Sequence, residues 1–132
     1  MKISVLTPTY NRANLLENLY KSLIENSNYG VEIEWLIMDD GSTDNTKEVV
    51  DNFTKQNKID IKYFYQNNQG KMVAINNLVG QATGDLIVDC DSDDYFAKDA
   101  FEIIKQAYEK NPNINKELYG LCFLKYDTKG NN

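Results

Sequence analysis

Apolar residues along this chain fall into short, β-branched runs separated by stretches with helical spacing. Ile3, Val5 and Leu6 form the first run, stopped by Thr7-Pro8, and predict a buried strand over residues 3–6. Leu15, Leu16, Leu19, Leu23 and Ile24 then recur on one face of a helix that Asn14 is placed to cap and that residues 26–28 end. The unit repeats. Residues 33–38 predict a second strand, and Val49, Val50 and Phe53 form the inner face of a helix opened by Asn45, with Glu48 at capping-box spacing. Residues 59–65 predict a third strand, and after the polar turn Asn67-Asn68-Gln69-Gly70 a helix carries Met72, Val73, Leu78 and Val79 and closes at Thr83-Gly84. Residues 86–88 predict a fourth strand. A helix near Ala100, capped by Asp99 and bearing Phe101, Ile103, Ile104, Ala107 and Tyr108, leads to a fifth strand over residues 118–124.

Strands alternating with helices at this spacing imply βαβ units, hence an α/β fold with a mainly parallel sheet covered on both faces. The strand order is not legible. The length, 132 residues, suits one domain spanning 1–132. In such sheets ligands bind beyond the carboxyl ends of strands, so the loops Thr7-Pro8-Thr9-Tyr10, Asp39-Asp40-Gly41-Ser42 and Asp91-Ser92-Asp93-Asp94 are expected to converge on one cleft.

Charge narrows the chemistry. The formal net charge is −6 and histidine is absent, so no broad basic surface suits nucleic acid and any metal must sit on oxygen ligands. The two cysteines, Cys90 and Cys122, have neither the spacing of a zinc site nor that of a disulfide framework. The N-terminal apolar run is too short for a signal core and no stretch approaches a membrane span, which makes the cytoplasm the expected compartment.

Asp91 and Asp93 repel one another unless a cation holds them, and Mg²⁺ or Mn²⁺ commonly bridges such carboxylates to substrate phosphates. A calcium loop would use Asp89, Asp91 and Asp93 as its first, third and fifth positions, but Asp94 stands where glycine is required and Ala100 where the bidentate glutamate belongs. The pair Asp39-Asp40 before Gly41 reads either as a turn with a helix cap or as a carboxylate accepting the imide N–H of a pyrimidine base, which would favour uracil over cytosine. Tyr10 reads as core or as a base-contacting ring, while Gly70 and Lys71 at a helix start offer N–H groups and an ammonium to phosphate.

Taken together, Val5 through Arg12, Asp39 through Thr46, Asn68-Gln69-Gly70-Lys71 through Asn76, Gly84-Asp85 and Asp91-Ser92-Asp93-Asp94 resemble the motif blocks of a family 2 glycosyltransferase. The resemblance implies a Rossmann-like GT-A α/β/α sandwich, a nucleotide-diphosphate sugar donor such as a UDP-sugar, Mn²⁺ or Mg²⁺ as cofactor, and transfer with inversion to a saccharide or glycoconjugate acceptor. It places Thr7, Pro8, Tyr10 and Arg12 in the nucleotide pocket, Asp40 on the base with Asp39 beside it, and Gly70 and Lys71 in the same donor site. Asp91, with Ser92, falls near the ribose or diphosphate and joins Asp93, the principal metal ligand. Ile75 departs from the arginine of many relatives, with Lys71 after the glycine as a variant. Similar enzymes continue into an acceptor-binding half that supplies a carboxylate base. The chain is therefore expected to be a donor-binding portion, truncated before that half, with no assignable base and no activity alone. A second copy could cover the open sheet edge, and a longer protein could sit peripherally at the inner face of the membrane.

Rivals fare less well. A phosphoacceptor receiver domain shares the size and alternation, and Lys125 suits it, but its acidic pair belongs after the first strand and no Ser or Thr lies between Asp93 and Asp127. A dinucleotide-binding dehydrogenase needs GxGxxG after the first strand, and a nucleotidyltransferase a Gly-rich basic loop there; the chain has neither.

Overall fold

The first two apolar runs become the centre of the sheet because they can be buried on both faces. Strand β1 (Lys2–Thr9) and strand β2 (Glu32–Asp39) each bury their last seven residues. A computed structural model describes residues 1–110. The remaining elements are α1 (Leu16–Asn26), a 3₁₀ turn (Ser27–Tyr29), α2 (Thr46–Lys55), β3 (Asp60–Tyr65), α3 (Lys71–Val79), β4 (Leu86–Asp89) and α4 (Ala100–Glu109). The strands pair in the order β3-β2-β1-β4, every pairing parallel. The predicted fifth strand over 118–124 lies outside the described residues.

Helices cover both faces. One core joins Ile3, Val5, Trp35 and Ile37 to Leu16, Leu19, Leu23, Val50, Phe53, Phe101 and Ile104 from α1, α2 and α4. The other sets Leu6, Leu36 and Met38 against Ala74 and Leu78 of α3. The result is the expected α/β/α sandwich with period-2 alternation deciding which face each strand residue serves.

Some boundaries and caps differ from expectation. β1 runs through Pro8, although proline cannot donate to a ladder. Leu6 accepts from Cys90 N and Thr9 accepts from Asp40 N, so alternation points Pro8 toward β4 just past that strand's last pairing, Leu6↔Asp89. No missing hydrogen bond results. Asn14, Asn45 and Asp99 make no side-chain cap: Leu15 is the N-cap of α1, Asp44 Oδ1 accepts from Thr46 N at the start of α2, and Asn26 Oδ1 accepts from Phe101 N at the start of α4. In α4 the capping group thus comes from α1, which ties two helices that a local cap would leave independent.

At the amino ends of the strands a buried charge clamps the sheet. Glu34 is fully buried and accepts hydrogen bonds from Ser4 Oγ at 2.6 Å, Lys62 Nζ at 2.5 Å, and Thr83 N and Oγ1, both at 3.0 Å. Burial opposes ionisation, but the bonds from Lys62, Ser4 and Thr83 outweigh it and lower the carboxyl to about 2 from 4.5. Ser4 Oγ in turn accepts from Gly84 N at 2.8 Å, and Asp85 accepts from Lys2 N at 2.8 Å. A Cβ on Gly84 would stand 2.7 Å from Ser4 N and 2.9 Å from Lys2 O, so the Gly84-Asp85 pair is a docking point of β4 on β1.

Two stability tests follow from this clamp. Gly84→Ala forces backbone against backbone and should lower stability by about 1–3 kcal/mol in urea unfolding. Glu34→Gln should cost on the order of 3 kcal/mol at pH 7. Because the folded carboxyl is depressed, that difference is fully present above about pH 4.5 and disappears as pH falls toward 2.

Candidate functional site

Parallel strands put all four carboxyl ends on one edge, and the chain order reverses beside β1, with β2 and β3 to one side and β4 to the other. A crevice is expected at that switch point. It is present as a cleft of about 300 Å³, lined by Pro8, Thr9, Tyr10 and Arg12 after β1, Asp91, Ser92 and Asp93 after β4, and Asp40, Asn68 and Lys71. A larger groove of about 460 Å³ at the opposite edge, around Ser27, Val31, Lys58 and Ile61, gathers no comparable set of charges.

The cleft's loops are held by one another. Asn11, at φ 51°, donates its backbone N–H to Ser42 Oγ at 2.9 Å and accepts from Thr43 N at 2.8 Å. Asp44 accepts from Ala13 N at 3.1 Å as well as from Thr46; burial works against its charge, but these bonds hold its carboxyl below the ordinary value. Thus the loop after β1 is stitched to the loop after β2. Asp40 performs the same service for the loop before α3: its Oδ1 accepts from Gln66 Nε2 at 2.9 Å and Gln69 N at 2.8 Å, and its Oδ2 from Gly70 N at 3.0 Å. Burial opposes its ionisation, and the three donors still lower its pKa. Gly41, at φ 88°, lets the two loops approach, since a Cβ there would lie 3.0 Å from Asn68 N.

Opposite charges meet across the opening. Lys71 Nζ stands 2.7 Å from Asp91 Oδ1, and Arg12 Nη1 stands 2.7 Å from Asp93 Oδ2. Asp91, Asp93 and Asp94 each place an oxygen within 4.8 Å of the others. This all-oxygen donor set, open to solvent on one side, fits Mg²⁺ or Mn²⁺, which favour oxygen ligands and retain positions for water and phosphate. Thr9 also lines the cleft but is 3% exposed, and its buried Oγ1 has no hydrogen-bond partner among the described residues.

The structure therefore gathers Pro8, Tyr10, Arg12, Asp40, Lys71, Asp91, Ser92 and Asp93 around one space. Tyr10 is half exposed there and is not a core residue. Gly70 stands behind Lys71 with its N–H already given to Asp40. Thr7 and Asp39 lie behind the wall: Thr7 Oγ1 accepts from Trp35 Nε1 at 2.9 Å, and Asp39 accepts from Ser42 N at 2.8 Å and from Tyr63 Oη. Burial and this acceptor raise the Tyr63 pKa, keeping it a donor. Thr9, Asn68 and Asp94 join the site without having been singled out. All three sit within the motif blocks, but alternation alone would assign Thr9 to the strand.

Comparison with known proteins bears on this geometry. Residues 4–116 match glycosyl transferase family 2. The chain belongs to that family. It is 39% identical over 114 residues to an uncharacterized glycosyltransferase of Mycoplasma genitalium, covering 83% of this chain and 38% of that protein. It is 36% identical over 134 residues to the GalNAc(5)-diNAcBac-PP-undecaprenol beta-1,3-glucosyltransferase of Campylobacter jejuni, covering 90% of this chain and 42% of that protein. Among solved structures, S. aureus TarS 1-349 in complex with UDP is similar at TM-score 0.71 and 29% identity, covering 95% of this chain and 38% of that one. The mannosyltransferase PcManGT of Pyrobaculum calidifontis, in complex with GDP-Man and Mn²⁺, is similar at TM-score 0.65 and 27% identity, covering 74% and 29%. The chain thus spans less than half the length of these relatives. The similarity to these structures agrees with a GT-A-like α/β fold built on a parallel sheet, and family membership displaces the receiver-domain alternative. Among the described residues, no helix is long and apolar enough to cross a membrane.

Replacing Asp40 by alanine strands three donors at once and should destabilise the chain by about 2–3 kcal/mol. Amide exchange at Gln69 and Gly70 should rise together in NMR, while that of the β1 core stays slow.

Proposed function

We propose that the cleft binds a nucleotide-diphosphate sugar, preferentially a UDP-sugar, and serves glycosyl transfer with inversion to a saccharide or glycoconjugate acceptor. The observation that carries this reading is the meeting, at the switch point of the sheet, of two side-chain cations with three clustered carboxylates beside an exposed aromatic ring. Relatives support the donor class: one similar structure holds GDP-Man with Mn²⁺, others UDP or UDP-GlcNAc. The Campylobacter relative is named for glucosyl transfer.

On this reading each lining residue has a role. Tyr10 and Pro8, which line the cleft, contact the base. A carboxylate has about four acceptor positions, of which Asp40 gives three to its own loop; the position left on Oδ2 suits a single imide N–H, as in uracil. Cytosine, lacking a donor at that ring nitrogen, would leave the position unmatched. Arg12 and Lys71 neutralise the diphosphate, and Asp91 and Asp93 hold Mn²⁺ or Mg²⁺. The cation, when bound, supplies Lewis-acid stabilisation of charge on the departing nucleoside diphosphate. No carboxylate among the described residues is assigned as the base for the acceptor hydroxyl. The cytoplasm, or the inner face of the membrane for a lipid-linked acceptor, is the compartment this reading assigns.

Calorimetric titration of UDP with and without Mn²⁺, repeated on the Asp91→Ala, Asp93→Ala double variant, tests the site. Binding should require metal and vanish in the variant. A folded chain that binds none of UDP, GDP or dTDP with Mn²⁺ or Mg²⁺ has no donor site, and the proposal falls.

A further inference from the structure

We infer that Gln66, held by Asn77, is a positioning residue that keeps Asp40 an acceptor and so sets the preference of this cleft for uracil over cytosine. The inference rests on the donor-site reading above and adds which residues outside the cleft decide its choice of base. Neither Gln66 nor Asn77 is among the residues lining the opening, so both act on a bound base only through Asp40.

Two hydrogen bonds run in series. Asn77 Nδ2 donates to Gln66 Oε1 at 2.8 Å, and Gln66 Nε2 donates to Asp40 Oδ1 at 2.9 Å. The Gln66 backbone N–H is given to Asp39 O at 2.9 Å, which seats the residue on β2. The buried Gln66 side chain is thus fixed from both ends, by β2 at its backbone and by the exposed Asn77 of α3 at its oxygen.

Holding the loop does not require this amide. Residues 66–70 are already tied to β2 by Gln66 N and to Asp40 by the N–H groups of Gln69 and Gly70. What the amide adds is polarity. It donates at one end and accepts at the other, and with Asn77 donating to its oxygen the NH₂ end is left for Asp40. That end stabilises a carboxylate, whereas the oxygen would call for a protonated acid. The distinction matters because, among the described residues, Asp40 makes no ion pair and its charge rests on neutral donors alone. Arg12, Lys71, Asp91 and Asp93 line the same cleft, and Asp39 turns to Ser42 and Tyr63. An ionised Asp40 accepts from the imide N–H of uracil, and a protonated one donates to the bare ring nitrogen of cytosine. The orientation of one neutral amide therefore separates two bases.

The test is the ratio of CDP to UDP dissociation constants with Mn²⁺ in calorimetry, in which the contributions of diphosphate and metal cancel. The unmodified chain should favour UDP by a ratio that is flat between about pH 6 and 8, where Asp40 stays ionised. Gln66→Glu sets a second carboxyl against Asp40, and the pair retains a proton. Its ratio should fall about tenfold near pH 6 and recover as pH rises. Asn77→Asp, an exposed change that should leave Tm unaltered, sets a competing acceptor on the same amide and should lower the ratio about threefold. A purely structural Gln66 would weaken UDP and CDP alike and leave the ratio unmoved. An unmoved ratio in folded Gln66→Glu, or in Asn77→Asp if the former does not fold, overturns the inference and leaves the donor site standing. Equal binding of UDP and CDP by the unmodified chain overturns it as well. If UDP does not bind the unmodified chain with Mn²⁺, the donor site fails and the inference with it.

Discussion

The carboxylate of Asp40 sits almost wholly buried at the end of β2 and accepts hydrogen bonds from Gln66, Gln69 and Gly70. A buried charge tolerates no loss of partners, because each missing donor leaves part of its desolvation uncompensated. The loop before α3 is consequently locked to β2, and with it the first residue of that helix, Lys71. The contact of Lys71 with Asp91 across the cleft depends on this lock. So does the path of residues 66–70, which Gly41 permits by carrying no Cβ.

A second buried carboxylate does comparable work at the other edge of the sheet. Glu34 draws Ser4, Lys62 and Thr83 onto one point, and Ser4 passes the connection to Gly84 at the entry to β4. The two acids divide the sheet between them. Glu34 sets where β4 begins on β1, which determines where β4 ends and hence where Asp91 and Asp93 emerge. Asp40 sets the facing wall. Neither depends on a neighbour in sequence, so the cleft's dimensions rest on long-range polar contacts laid over an apolar core that would tolerate more variation.

Between those walls the electrostatics are unsettled. Asp91, Asp93 and Asp94 stand close together with Arg12 and Lys71 against two of them, in surroundings wet enough that each ion pair is held lightly. The contrast with Asp40 and Glu34 is informative: those buried carboxylates, with three or more donors, hold the fold, whereas Asp91 and Asp93 meet Lys71 and Arg12 at a partly exposed opening. Membership in glycosyl transferase family 2 gives that opening a use.

Hydrophobic period by itself determined the alternation of strands and helices, the parallel sheet and the identity of the apolar faces, because burial requires the same spacing in any context. The motif blocks likewise pointed to the loops after β1, β2 and β4, and residues of all three line one cleft. Strand order was decided by tertiary structure alone, since a βαβ unit does not reveal on which side of β1 the next strand will pair. Caps escaped the sequence for a related reason. Asn14, Asn45 and Asp99 were well spaced for the task, yet Asp44 and, across a distance of 75 residues, Asn26 hold the helix starts. Asp39 and Asp40, adjacent and alike in sequence, part for the same cause. Alternation turns one toward Tyr63 and the turn at Ser42, and the other toward the loop before α3 and the cleft.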